Sequence, residues 1–168
     1  MTYVRPSFKL TLAGAMHMLQ AAVEKATAMG QPQCIAIVDE GCNLVAFVRM
    51  DGSRVLSVDS ATRKAMTAAT NGQPTGGVPF ERAMQLAEAT GGRVTHLLGG
   101  LPILVDGHIV GGIGVGSGSG EQDLEVAKAA VAAFDAVKAP PPARVTVPPS
   151  ASSNFGMCGC ASRVVRIP

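Results

Sequence analysis

Between residues 12 and 26 the apolar positions Leu12, Ala15, Met16, Leu19, Ala22, Val23 and Ala26 recur at helical spacing, which predicts an amphipathic helix. Thr11 is placed to cap it, Gly30 to end it, and Pro32 to keep it from restarting. The pattern then changes. Residues 34–38 and 44–48 are β-branched or apolar runs on either side of Asp39-Glu40-Gly41-Cys42-Asn43, a hairpin with turn chemistry in its loop. Met50-Asp51-Gly52 closes the second run. Residues 55–70 return to helical spacing, with Ala61, Ala65, Ala68 and Ala69 along one side, and small residues so placed let another backbone come close. An irregular loop over 71–79 leads to a short helix over 80–89, stopped by Gly91-Gly92.

Two further apolar runs, 101–105 and 108–115, flank Asp106-Gly107, the strongest short-range hairpin signal in the chain. A third strand is expected just before them, over 94–98. The last helix spans 121–137, with Leu124, Ala127, Val131 and Phe134 on one face and acids in its first turn. Tight hairpins require antiparallel neighbours, so the expected fold is an α+β layer of about five antiparallel strands flanked by helices. Pro140-Pro141-Pro142 and Pro148-Pro149 preclude regular structure. One domain over 1–138 is therefore expected, followed by a Pro-rich linker and tail over 139–168.

Composition narrows this picture. The chain has 168 residues, 47% of them hydrophobic and only 15% charged, which supplies one real core and an unusually apolar surface. Part of that surface is expected to be covered by further copies of the chain, in a homo-oligomer. Up to Lys138 there are 11 basic and 12 acidic residues; Arg144, Arg163 and Arg166 make the tail basic. With a near-neutral body, no Trp and one Tyr, no nucleic-acid partner is expected. Cys34, Cys42, Cys158 and Cys160 are too few for a disulfide framework, so a reduced, cytoplasmic setting is expected. Arg5 and Lys9 before the apolar residues 10–16 imitate a signal peptide, but His17, Gln20, Glu24 and Lys25 continue the helical pattern. No apolar run approaches the ~18 residues of a membrane span, and no membrane partner is expected.

The stretch Leu101-Pro102-Ile103, then Asp106-Gly107-His108-Ile109-Val110-Gly111-Gly112-Ile113-Gly114-Val115 and on to Gln122-Asp123, resembles the signature of the GlcG/HbpS (haem-degrading-domain) family. Ile37-Val38-Asp39-Glu40-Gly41, Arg49-Met50-Asp51-Gly52 and Lys64-Ala65-Met66-Thr67-Ala68 fall in that family's order. The resemblance implies a profilin-like layer, similar to the C-terminal domain of PduO-type proteins, that assembles into dimers or larger rings. It also implies haem or corrinoid binding in some members. The glycine-rich 116–120 and the tail after Ala139 depart from the family pattern.

The candidate chemistry falls into three groups. His17 lies on the first helix beside the apolar stripe, between Met16 and Met18; a neutral imidazole there is a candidate haem-iron ligand, although a boundary residue bonded to backbone or water has the same signature. Arg49, Asp51 and Lys64 form a candidate catalytic set: two cations can clamp a carboxylate or a propionate while the acid orients them or takes a proton. A solvated ion-pair cluster would look the same in sequence. Gly111–Gly120 never satisfies G-x-G-x-x-G, and no Walker lysine follows it. It either offers free backbone N–H groups to an anion or lets a strand pass close beneath a helix. The ligand-binding candidates are therefore Gly116, Ser117 and Gln122 here, Gly100 and Pro102 upstream, and His96 with His17. His108, beside a turn, is expected to be exposed. Cys158-Gly159-Cys160 lacks a second pair for zinc; Phe155 and Met157 would instead anchor the tail on a neighbouring subunit.

Three functions fit these residues: a small-molecule-binding oligomer holding haem or a related tetrapyrrole; a small isomerase, hydratase or lyase acting on a carboxylated catabolic intermediate; and a non-catalytic accessory subunit. Haem is the one cofactor implied.

Overall fold

The structure is a computed structural model that describes residue 3 and residues 7–137. The tail readings, including Cys158, Cys160, Phe155 and Met157, lie outside the described residues.

The first helix, α1 (Leu12–Ala28), is capped as its sequence predicts: Thr11 Oγ1 accepts from the Gly14 backbone N–H at 3.1 Å. It buries Ala15, Met18, Leu19, Ala22 and Ala26. Strands β1 (Cys34–Asp39) and β2 (Leu44–Arg49) form the first hairpin. In its turn Cys42 takes φ +64°, and Asp39 Oδ1 accepts from the backbone N–H of Gly41 and Asn43. Next come α2 (Ser57–Asn71) and α3 (Phe80–Ala89). Strands β3 (Gly100–Val105) and β4 (His108–Gly116) make the Asp106-Gly107 hairpin, and α4 (Gly120–Val137) ends the described chain.

The sheet has four strands in the order β2-β1-β4-β3, all antiparallel, which gives the expected α+β class with one strand fewer than expected. Residues 94–98 carry β-forming side chains but make no ladder. The Thr95 N–H goes to Thr67 Oγ1 on α2 and the Leu97 N–H to Thr95 Oγ1, while Gly99 at φ +115° breaks the extended path. That leaves β3 at the edge, where Pro102 interrupts no second ladder.

β1 is central and buried on both faces. Ile35 and Ile37 face one core with Ile113, Val115 and the apolar sides of α1 and α4. Cys34, Ala36 and Val38 face the other, against Ala61, Ala65 and Ala69 of α2. On β4 the second face is glycine. A Cβ on Gly112 would lie 2.3 Å from Ala65 O, and one on Gly114 would lie 2.0 Å from Ala61 O. The alanine side of α2 thus rests its backbone directly on the strand, as its small residues predict.

Candidate functional site

Contact this close brings Lys64 of α2 over the end of β4. Its side chain is 5% exposed, and Nζ donates to Val115 O and to Asp123 Oδ2, both at 2.7 Å. Asp123, in the first turn of α4, is 3% exposed, and its other oxygen accepts from Gly118 N at 2.9 Å. With its amide turned the one way that satisfies both neighbours, the fully buried Gln33 donates Nε2 to the same oxygen at 2.8 Å and to Gly116 O at 2.7 Å. A charge so deep is tolerated only when paired and hydrogen-bonded, and both carboxylate oxygens here are occupied. Gly99 completes the floor, where a Cβ would lie 2.6 Å from Asp123 Cβ and 3.2 Å from Lys64 Nζ.

Above this pair opens a cleft of about 270 Å³, lined by Arg54, Ser57, Ser60 and Lys64 on the α2 side, Leu97 and Leu98 opposite, and Ser117, Gly118, Gly120 and Asp123 at its base. Ser117 stands at φ +99°; its hydroxyl accepts the Arg54 N–H at 2.9 Å and its carbonyl accepts from Gln31. These bonds tie the β4–α4 turn to the segment before α2 and to the loop between α1 and β1.

The glycine-rich stretch is a poor anion cradle. Ser119 and Gln122 form a capping box, with Ser119 Oγ accepting from Gln122 N at 3.3 Å and Gln122 Oε1 accepting from Ser119 N at 2.9 Å. The Glu121 carboxyl is held below its usual range by its own backbone N–H and then by the Ser119 hydroxyl. The N–H groups expected to receive an anion are therefore largely occupied within the turn, and Gln122 is a cap. The Ser119-x-x-Gln122 spacing was the signal for it.

The structure separates the set Arg49, Asp51 and Lys64. Arg49 ends the edge strand β2 opposite Cys34, which in turn pairs with Gly116, so two strand spacings, roughly 10 Å, lie between Arg49 and the β4 end. Arg49 and Asp51 are exposed and line no part of the Lys64 cleft. Lys64 takes Asp123 instead. Gly100 is buried, and its N–H and carbonyl are both bonded to Thr75, so it braces the loop after α2. Pro102 pairs with Gly112 in the ladder. His96 meets Phe80 edge-on, ring centroids 5.1 Å apart, and lines a separate cleft against α3.

His17 is exposed on α1, and its Nε2 lies 3.3 Å from Ala133 O of α4. Leu12 and Met16 on the same helix and Val137 on α4 expose half or more of their surface, whereas Met18 is fully buried in the core. His17 therefore has one methionine beside it at the surface, where two were expected. Among the described residues no group of three or more His, Cys, Asp or Glu could hold a metal ion, and no helix is long and apolar enough to cross a membrane.

Residues 10–132 match the family model described as haem degrading protein HbpS-like. The fold is similar to the crystal structure of Klebsiella pneumoniae protein ORFY, with TM-score 0.76 and 30% identity over 82% of this chain and 99% of that one. It is similar to Streptomyces reticuli HbpS, in a double-mutant form, with TM-score 0.66 and 37% identity over 77% of this chain and 89% of that one. A PduOC:heme complex is also similar, with TM-score 0.69 and 29% identity over 75% of this chain and 95% of that one.

Proposed function

Since the chain belongs to the HbpS-like family, we propose that it binds haem and that His17 is the side chain that holds the iron. The observation that carries this reading is the position of His17: an exposed imidazole at the seam of α1 and α4, 3.3 Å from Ala133 O, on a helix that also exposes Leu12 and Met16 and beside one that exposes Val137. A flat, largely apolar guest needs such a shelf. Donation of Nε2–H to a backbone carbonyl fixes the tautomer and leaves the lone pair on Nδ1, which is how protein histidines are prepared for metals. When bound, haem supplies a redox-active iron; what this chain contributes is the imidazole, the apolar shelf and the carbonyl that orients the ring. The haem complex of the similar PduOC protein supports haem as the guest.

A guest on an open shelf leaves one face to water, so a second copy is the natural cover. In a two-fold dimer the same patch returns on the partner. Exposed Val55, Leu56, Phe80 and Met84 add apolar surface that supports self-association. Among the described residues Cys34 and Cys42 are not joined in a disulfide, which supports a reducing, cytoplasmic setting.

Haemin titration followed at the Soret band tests the proposal. A sharp band that saturates at a fixed stoichiometry, and that His17→Ala abolishes, is expected. An unchanged band in His17→Ala would remove His17 from the site. Light scattering with and without haemin, expected to show an oligomer, tests the covering copy.

A further inference from the structure

We propose that the cleft between α2 and the start of α4 is a second binding site, for a small monocarboxylate with a short apolar tail. This site is independent of the haem reading. His17 contacts α4 at Ala133, and Asp123 lies ten residues earlier, so the two sites are roughly 15 Å apart along that helix.

The cleft's chemistry selects its guest. Arg54, Lys64 and Asp123 leave one excess positive charge, which matches a monoanion and disfavours a dianion. The Lys64–Asp123 pair by itself is explained as a brace. The other groups are not. The Arg54 side chain is exposed and makes no hydrogen bond or ion pair among the described residues; its structural bonds are all through the backbone, whose N–H goes to Ser117 Oγ and whose carbonyl accepts from Cys34 Sγ and Ser57 N. Lys64 Nζ spends two of its three N–H bonds on Val115 and Asp123, leaving one donor. The Ser57 hydroxyl, at the foot of α2, has no partner among the described residues either. A guanidinium fork, an ammonium and a hydroxyl are what a carboxylate needs.

The opposite wall is apolar. Leu97 is 44% exposed there beside Leu98. At about 270 Å³ the space falls just below the range of sites for drug-sized ligands and suits an acid of a few carbons. The base is preformed, because Gly99 and the Asp123 bonds hold it without a guest.

Calorimetry on the full chain with sodium butyrate, n-butanol and inorganic phosphate tests the site. Saturable butyrate binding is expected, with no response to butanol, which lacks the charge, and a weaker one to phosphate, which lacks the tail. Losing a charge-assisted bond in Arg54→Gln should weaken butyrate about tenfold or more, and Leu97→Glu should weaken it too by placing an acid in the wall. Both positions are exposed, so unliganded melting temperatures should stay near wild type. His17→Ala should leave butyrate binding unchanged, and Arg54→Gln should leave the Soret titration unchanged, so either proposal can fail alone. Equal butyrate affinity in wild type and Arg54→Gln, or phosphate binding as tightly as butyrate, would overturn the assignment.

Discussion

On one face of the sheet, Ile35, Ile37, Ile113 and Val115 interlock with the aliphatic sides of α1 and α4; on the other, glycines of β4 lie against the backbone of α2, and a lysine and an aspartate are buried at the seam. The first face is held by volume, which tolerates small changes. The second is held by close approach and by a polar network, and neither has slack. The difference shows why chemistry gathers at the α2 side. A helix seated on glycine can carry a lysine stem down to a carboxylate at the start of α4, whereas a layer of branched side chains would keep the two apart.

The largest effect should come from the seam. Asp123→Asn, with Lys64 left charged and buried, is expected to cost about 4 kcal/mol in urea unfolding. Adding Lys64→Met should recover part of that loss, because it removes the uncompensated ammonium, and the pair should be clearly non-additive. A single-variant cost below about 1 kcal/mol would mean that the network does not hold the face together.

Next is the glycine floor. Gly114→Ala puts a methyl 2.0 Å from Ala61 O and 2.4 Å from Ala65 N, so α2 must lift, at about 3 kcal/mol. Its neighbour Ile113 points to the other face and is fully buried; Ile113→Val should cost only about 1 kcal/mol in the same assay. Equal costs for the two would erase the contrast between the faces.

The smallest effect lies outside both. Partial burial raises the Asp39 carboxyl, but hydrogen bonds from Asn43 and Gly41 outweigh it and bring the group below 3.8. A lowered folded value means that its contribution is present above pH 3.8 and is lost as the pH falls through the folded value. Asp39→Asn should thus destabilise by well under about 1 kcal/mol at neutral pH, screened as the site is by water, and the gap to wild type should close in acid.

Local chemistry made most of the elements legible. Helical spacing with Thr11 and Gly30 gave α1, Asp106-Gly107 gave the second hairpin, and the alanines of α2 announced a close backbone contact. These features depend on neighbours within a few residues, so the order of amino acids is enough to specify them. The family was legible too, from short motifs in a fixed order. The strand expected over 94–98 failed because β propensity forms a strand only where a ladder partner is free, and Thr67 and Thr95 took those N–H groups.

The candidate site depended on distance in space. Lys64 and Asp123 are 59 residues apart, and nothing in either one's surroundings names the other. Arg49 and Asp51, nearer in sequence, were the natural partners to expect, yet strand order carried them to the far edge. Buried charges pair with whatever the packing brings within hydrogen-bond reach, because an unpaired one is too costly to bury. That choice belongs to the whole fold, through the seating of α2 on β4 and the turn that starts α4.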